Sequence, residues 1–242
     1  STCPTQNLME AYDMKDGTPF VWNNQSNPYD NRDPRMKYTI VCNGMKWPVN
    51  TIDISEGGAN GLPLQNATTT GYYLKKYVNN TISFEAGSTV TKKQHNWVLF
   101  RYGEILLNYA EAMINAFHDP NYKDAVYNMS AREAVNQIRG RTNIALPGLP
   151  SDITEKDFVK RLKNERRVEL AFEGHRFWDV RRWKELEQTA NIYGVKITKN
   201  NETISYEKFL LETRAVTDNM YFYPIPNTER FKNPNLGQNP GW

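Results

Sequence analysis

The pattern of hydrophobic and polar positions changes at about residue 97 and divides the chain into a loop-rich part and a helical part. Residues 1–96 are rich in Gly, Pro, Asn and Asp, which favour turns and loops. Two short runs, residues 37–42 and 72–78, have the β-branched and aromatic composition of strands. We therefore expect residues 1–96 to be mostly irregular, with two short strands.

Residues 97–117 have the periodicity of a helix with a narrow polar stripe. At about 100° per residue, the polar side chains fall within a sector about 80° wide, and most of the remaining surface is apolar. The stripe consists of Arg101, Glu104, Asn108, Glu111 and Asn115. We expect such a helix to be buried on several sides.

A second helix is predicted from Ser130 to about residue 142. Ser130 and Glu133 have the spacing of a capping box, in which each residue satisfies a free backbone N–H of the first helical turn. The apolar residues that follow, Ala134, Val135 and Ile138, recur at helical spacing.

A third helix is predicted over residues 154–173, and two carboxylates lie in the middle of its apolar face. Glu165 and Glu169 fall within about 80° of Phe158 and Leu162 when the segment is plotted as a helix. Buried carboxylates are costly unless they are paired. Gly174 is placed just past the predicted helix end, and a further helix is predicted from residue 177 to 185.

Two interpretations of the carboxylate pair remain open. Like carboxylates in an apolar site push their pKa values apart and can act as an acid/base dyad. Alternatively, arginines neutralise them in a structural network that locks a helix corner. The many arginines nearby favour the network. Its predicted members are Arg101, Glu165, Arg166, Glu169, Arg176 and Arg181.

The last part of the chain predicts a β-hairpin and an extended tail. Residues 194–198 and 203–206 have strand composition and flank an Asn-Asn turn at residues 200 and 201. Residues 224–242 are rich in proline and are expected to lie extended over the surface. No flexible linker interrupts the chain, so we expect one continuous unit. Its parts are residues 1–96, loop-rich; 97–187, helical; and 188–242, hairpin and tail.

Composition and charge argue against nucleic-acid binding and against a membrane-spanning segment within this sequence. The net charge of +3 arises from 30 basic and 27 acidic residues that are interleaved, which is unlike a nucleic-acid-binding stripe. No apolar run approaches the roughly 18–20 residues of a membrane span. The sequence leaves open whether Cys3 and Cys42 form a disulfide.

The titratable residues have no spacing typical of catalysis or of cofactor binding. The three histidines match no zinc-binding spacing, and no G-x-S-x-G nucleophile motif occurs. Loop carboxylates such as Asp53 and Glu56 could serve a glycosidase or bind calcium, but solvated loop residues are the stronger interpretation. We therefore predict no catalytic residue, no cofactor and no metal.

Five segments, in order, resemble the SusD/RagB family of surface nutrient-binding lipoproteins. The most specific is ERRVELAFEGHRFWDVRRW at residues 165–183. The other four are YDNRDPRMKYTI at 29–40, FRYGEILLNYAEA at 100–112, AVNQIRGRTNIALP at 134–147 and YPIPNTERFKNPNLGQNPGW at 223–242. The resemblance spans nearly the whole chain but only the C-terminal portion of the longer family members.

The resemblance implies a mainly α fold, with tetratricopeptide-like helical hairpins packed against a loop-rich region and a small β-hairpin. It also implies non-catalytic binding of oligosaccharide or polysaccharide at the cell surface and delivery to a TonB-dependent transporter of the SusC type. The protein would be held at the outer membrane by a lipid anchor upstream of this chain. No nucleic-acid partner is implied.

Aromatic residues on polar loops are the candidates for ligand binding. Sugar rings stack their C–H faces on aromatic side chains, and their hydroxyls bond to amides. The candidates are Trp22, Asn23, Asn24, Tyr29, Asn43 and Trp47. In the family, loops at the start of this portion commonly help to build the ligand site. For each residue taken singly, a place in the core is the stronger alternative.

Three other functions stay open at this point. The RagB side of the family makes peptide binding on the same scaffold the second choice. A surface glycosidase that uses Asp53 or Glu56 and a structural helical-repeat module that binds a protein partner rank below it.

Overall fold

The computed structural model of the protein describes residues 2–23, 27–82 and 91–242. These residues form a mainly α structure with two small antiparallel sheets, which confirms the predicted fold class. The helices are α1 (Gln6–Ala11), α2 (Pro34–Thr39), α3 (Tyr102–Phe117), α4 (Ala131–Arg139), α5 (Glu155–Glu169), α6 (His175–Arg182) and α7 (Asn227–Lys232). The strands are β1 (Ile40–Val41), β2 (Tyr73–Leu74), β3 (Asn191–Asn200) and β4 (Thr203–Thr213). None of the helices in these ranges is long and apolar enough to cross a membrane.

Two hydrophobic cores share helix α5. The N-terminal core combines α1, α2, β1 and the β3–β4 hairpin, and its largest fully buried side chains include Tyr12 and Tyr72. The helical core combines α3, α4 and α5. Helix α5 contributes Val168 to the first core and Phe158 and Leu162 to the second. Residues on α5 therefore determine how the two halves of the structure pack together.

Helix α3 begins five residues later than its periodicity predicts. Arg101 has extended backbone angles, φ −143° and ψ 155°, and serves as the N-cap. Its guanidinium donates to Glu169 and Glu173, so the residue is held by α5 and the turn after it. Trp97 and Phe100 precede it and are 83% and 75% exposed. The prediction of burial on several sides was wrong. The helix buries one face, whereas Tyr102 and Ile105 on the other face are 68% and 50% exposed.

The capping box at the start of α4 is present as predicted. The Glu133 backbone N–H donates to Ser130 Oγ at 3.2 Å, and the Ser130 N–H donates to Glu133 Oε2 at 2.8 Å. The helix ends at Arg139, three residues before the predicted end, with Gly140 as its C-cap.

Helix α5 ends at Glu169 and not at residue 173. Arg101 Nη2 donates to the Glu169 carbonyl at 2.7 Å, and Lys76 Nζ donates to the Ala171 carbonyl at 2.8 Å. Cationic side chains thus satisfy carbonyls that a longer helix would bond internally. The predicted role of Gly174 was wrong, since it is the N-cap of α6, with φ +84°, and does not follow the end of α5.

The N-terminal part contains two short helices that the sequence analysis missed. Asp33 caps α2 by accepting from the Arg35 N–H at 2.9 Å, and Pro34 occupies the first helical position. Helix α2 therefore takes up the first half of the strand predicted over residues 37–42, and β1 lies in the second half. The paired strands β1 and β2 are only two residues long, antiparallel to each other.

The β-hairpin is present and longer than predicted. Its two-residue turn is Asn201-Glu202, one residue later than the predicted Asn-Asn turn, and Asn201 has a φ of +54°. The tail is not fully extended, because it contains α7. Trp242 anchors the chain end by donating from Nε1 to the Asn219 carbonyl at 2.9 Å. Cys42 is a buried thiol and not half of a disulfide.

Candidate functional site

Glu165 is buried in an ion-pair network that joins α5 to two remote segments. It is 3% exposed, and its carboxylate accepts from Arg35 Nη1 and, at 3.0 Å, from Arg139 Nη1. Arg35 also binds Asp33 at 2.7 Å. Burial alone would raise the pKa of Glu165, but the Arg35 and Arg139 guanidiniums lower it below its usual range.

Glu169, one turn further along α5, binds three arginines. It accepts from Arg35 at 2.9 Å, from Arg101 at 2.6 Å and from Arg141 at 2.7 Å. Burial raises the pKa of Glu169, but these positive charges and hydrogen bonds outweigh it and lower the pKa to about 2. Arg35 therefore bridges both carboxylates.

The lowered pKa values decide between the two interpretations of the carboxylate pair. An acid/base dyad requires one carboxyl group whose pKa is raised, so that it holds a proton at neutral pH. The pKa values of Glu165 and Glu169 are both lowered, because each carboxylate binds at least two guanidinium groups. The geometry therefore supports a structural role for the pair.

The predicted membership of this network needs correction. Arg101 binds Glu169, but Arg166 binds Asp179 at 3.3 Å in a separate cluster. Arg176 donates to Gln188, and Arg181 donates to backbone carbonyls. Arg176 and Arg181 lie on α6, and the turn that precedes α6 directs them away from the α5 carboxylates. Sequence analysis missed Arg35, Arg139 and Arg141.

Two of the predicted ligand-binding residues belong to the N-terminal core. Tyr29 is 5% exposed, and its ring meets Tyr72 and Tyr206 edge to face, with centroids 6.2 and 5.4 Å apart. Asn43 is buried, and its Oδ1 accepts from the Ile54 N–H at 2.7 Å. The prediction that these two side chains contact ligand was wrong, because neither one reaches the surface.

The two tryptophan candidates are partly buried. Trp22 packs against the N-terminal core and lies edge-on to Phe20, with ring centroids 6.4 Å apart. Trp47 lies on a loop closed by a hydrogen bond from its own N–H to the Asn50 carbonyl at 2.8 Å. The ammonium of Lys75 is 4.6 Å from the centroid of the Trp47 ring. Asn23 is exposed, and the remaining candidate, Asn24, lies outside the described residues.

A cleft of about 930 Å³, not foreseen from the sequence, opens beside Phe20. Helix α1, residues 16–20, residues 147–157, α5 and α6 form its walls. Phe20 lines the cleft and is the residue against which Trp22 packs. Among the residues described, no group of three or more His, Cys, Asp or Glu side chains is arranged to hold a metal ion.

Comparison with known proteins identifies the family. A sequence model of the SusD family matches residues 1–242. The chain belongs to the SusD family. The resemblance predicted from the five segments is thus confirmed.

Solved SusD-like structures share the fold. A SusD-like protein from Bacteroides fragilis NCTC 9343 is 29% identical, with a TM-score of 0.80 over 99% of this chain and 47% of that protein. A SusD-like carbohydrate binding protein from the same organism is 28% identical, with a TM-score of 0.72 over 97% of this chain and 48% of that protein. SusD-like protein P2 of Formosa agariphila is 28% identical over 163 residues, which are 65% of this chain and 28% of P2. The chain spans less than half the length of each of these relatives.

Proposed function

We propose that this SusD-family chain binds oligosaccharide or polysaccharide at the cell surface, without making or breaking bonds, and delivers it to a TonB-dependent transporter of the SusC type. One observation carries the proposal: the whole-chain family match, together with the shared fold of the SusD-like carbohydrate binding protein of Bacteroides fragilis. Since the chain spans 48% of that relative, the rest of a ligand site can be supplied by segments beyond it. The anchor is proposed to be a lipid on an upstream segment, at the outer membrane.

Trp47 is the residue best suited to stack on a sugar ring. The turn that carries it is held by three backbone hydrogen bonds, Gly44 N–H to Ile52 at 2.8 Å, Ile52 N–H to Met45 at 2.9 Å and Trp47 N–H to Asn50 at 2.8 Å. An indole on a fixed loop loses little conformational freedom on binding. The Lys75 ammonium lies over one face of the ring and donates to the Lys37 carbonyl at 2.9 Å, so a sugar would stack on the opposite face.

Trp22 is the second proposed stacking residue. It lies next to Phe20, which lines the cleft, and the exposed Asn23 follows it in the chain. A sugar placed at this edge of the cleft would meet an aromatic surface and an amide, the combination that carbohydrate sites use. Because Trp22 also packs on the core, its role needs a control for folding.

Native electrophoresis through gels that contain plant, host and microbial polysaccharides tests the proposal. We expect one polysaccharide to retard the protein, and Trp47→Ala to abolish most of the retardation. Trp97→Ala is the matched control, since it removes a tryptophan that is 83% exposed and lies outside the proposed site. If both Trp47→Ala and Trp22→Ala are retarded as strongly as the parent protein, the assignment of these two residues to the ligand site is wrong.

A peptide ligand is the alternative outcome of the same experiment. If no polysaccharide retards the protein but a peptide mixture protects it from thermal unfolding, the scaffold serves peptides. The delivery step has its own test: a SusC-type transporter in detergent-solubilised outer membranes should co-purify with the protein, and absence of the transporter would contradict it.

A further inference from the structure

Two arginines in the cleft have no carboxylate partner within the described part of the chain. Arg167 on α5 donates from Nη2 to the Asn7 carbonyl at 2.8 Å, and Arg176 on α6 donates from Nη2 to Gln188 Oε1 at 2.8 Å. Both side chains are partly buried and line the cleft. A guanidinium has five N–H donors, so each arginine retains donors for a further acceptor.

The other arginines of the cleft are neutralised. Arg139 binds Glu165 at 3.0 Å and Asp13 at 3.3 Å, and Arg161 binds Asp13 at 2.6 Å. Arginines withdrawn from water at this cleft are thus normally paired, as the cost of burying a charge requires. The absence of an ion pair at Arg167 and Arg176 is therefore a local exception.

The carboxylates that attract these two arginines are bound by other basic side chains. Asp179, which attracts Arg176, is bound by Arg166 and Arg182. Glu10 lines the cleft and binds Lys208 at 2.8 Å. Glu185 also lines it and binds Lys163 at 2.5 Å. Both carboxylates attract the arginines from beyond ion-pair distance but do not bind them. Within the described residues, neither arginine is therefore in direct contact with a carboxylate.

The positive charges of Arg167 and Arg176 affect each other electrostatically, as their place in the same cleft implies. Burial, together with the neighbouring charge of Arg176, lowers the pKa of Arg167 to about 10. Both guanidiniums remain positive at neutral pH and repel each other. An anion between them would remove the repulsion, and the planar fork of arginine fits the two oxygens of a carboxylate or sulfate. The exposed rim of the cleft is mixed in charge, because Asp16, Asp152 and Asp157 line it together with Lys156 and Lys160.

We propose that Arg167 and Arg176 form a binding site for an acidic group, a carboxylate or a sulfate, carried by the ligand in the cleft. This inference rests on the proposed function and deepens it, since the substrate class becomes an acidic glycan. A cleft of about 930 Å³ is within the range of pockets that hold small ligands. The acidic group is the feature that separates this ligand from neutral sugars of the same size.

Isothermal titration with matched acidic and neutral sugars tests the inference on the 242-residue chain. The probes are oligogalacturonate and its methyl ester, and a sulfated galacto-oligosaccharide and its desulfated form. We expect an acidic probe to bind and its neutral counterpart to bind at least tenfold more weakly. Arg176→Gln should lower the affinity for the acidic probe by about ten- to a hundredfold. Whether the oligogalacturonate or the sulfated oligosaccharide binds shows whether the recognised group is a carboxylate or a sulfate.

Arg214→Gln is the matched control. It also removes one arginine, but the Arg214 side chain is 54% exposed and is paired with Glu212 on the hairpin, away from the cleft. Arg167→Gln is a second test variant, although Arg167 also ties α5 to α1 through Asn7. Within the described residues the Arg176 guanidinium donates to a side chain and to no backbone carbonyl, so its variant should keep the melting temperature of the parent protein.

Inorganic sulfate provides a probe that does not depend on the sugar backbone. At constant ionic strength, sulfate should raise the melting temperature of the parent protein and of Arg214→Gln more than that of Arg176→Gln. Equal shifts in all three proteins would overturn the inference. If a neutral glycan binds the parent protein and Arg176→Gln equally, and sulfate raises both melting temperatures equally, this inference is overturned and the proposed function is left intact. Sulfate shifts that depend on Arg176, without binding of any glycan, would support the anion site and count against the proposed function.

Discussion

Replacing Glu169 with glutamine should destabilise the protein strongly at neutral pH and much less in acid. Glutamine keeps the shape of the side chain but removes the charge that Arg35, Arg101 and Arg141 bind. The lowering of the Glu169 pKa from 4.5 to about 2 corresponds to about 3 kcal/mol of stabilisation. Loss of one partner from a buried network costs a similar amount, about 3–5 kcal/mol.

The sign of the pH dependence follows from the direction of the shift. Because the pKa of Glu169 is lower in the folded state, its contribution is fully present above pH 4.5 and is lost as the pH falls toward 2. Below that range both states are protonated, and the charge of Glu169 no longer distinguishes the parent protein from the variant. The difference in stability should therefore shrink between pH 5 and pH 2.

Urea unfolding followed by tryptophan fluorescence measures this difference at several pH values. Glu212→Gln is the control, because Glu212 is exposed and its ion pair with Arg214 lies on the surface, so the variant should leave the unfolding midpoint unchanged at neutral pH. A loss below about 1 kcal/mol at pH 7 for Glu169→Gln, or a loss that stays constant down to pH 2, would refute the reasoning.

Three further predictions concern single positions. Ser130→Ala removes the cap of α4 and should lower the free energy of unfolding by about 1 kcal/mol in urea titrations. Gly71→Ala should be more destabilising than Gly44→Ala in the same assay. Both glycines have a positive φ, so an alanine costs about 1–2 kcal/mol of backbone strain at either position. At Gly71 the new Cβ would also lie 2.4 Å from the Val195 carbonyl oxygen, whereas at Gly44 it would meet no atom within 4 Å. Equal losses would contradict that steric account. Burial raises the pKa of the Cys42 thiol to about 12, so iodoacetamide at pH 8 should label Cys42 in unfolded but not in native protein, as peptide mass mapping can check.

The sequence allowed the helices of the second half of the chain to be predicted because their hydrophobic periodicity is strong. The cap of α4 is a local signal, since Ser130 and Glu133 are three residues apart. Helix ends were less predictable, since side chains from other segments determine them. The end of α5 depends on Arg101 and Lys76, which are distant in sequence.

The ion-pair network illustrates the limit of local reasoning. The amphipathic plot predicted that Glu165 and Glu169 lie on the buried face, because helix geometry alone fixes that face. It could not identify the arginines, since Arg35 is 130 residues before Glu165 in the chain. The choice of the nearest arginines in sequence was wrong for Arg176, because α6 starts after a turn that points it elsewhere.

Ligand-binding residues were the least predictable feature. An aromatic residue on a polar loop has the same local composition whether its ring faces solvent or the core. Tyr29 and Trp47 both lie among Asn, Asp and Pro residues, yet Tyr29 is packed between two other tyrosines and Trp47 is partly open. The cleft could not be predicted from the sequence either, because its walls come from parts of the chain that only the fold brings together.

The charged segment at the end of α5 combines two tasks on different faces of one helix. Arg167 is two positions from Glu165 and from Glu169, so it points about 200° around the axis from each. The two glutamates are neutralised between the cores, whereas Arg167 lines the cleft and has no carboxylate partner among the residues that the structure describes. Substitution of Glu169 should therefore change the stability of the protein with little direct effect on ligand affinity. Substitution of Arg176 should change ligand affinity with little effect on stability. A single variant that changed both to the same degree would show that the two faces are not independent.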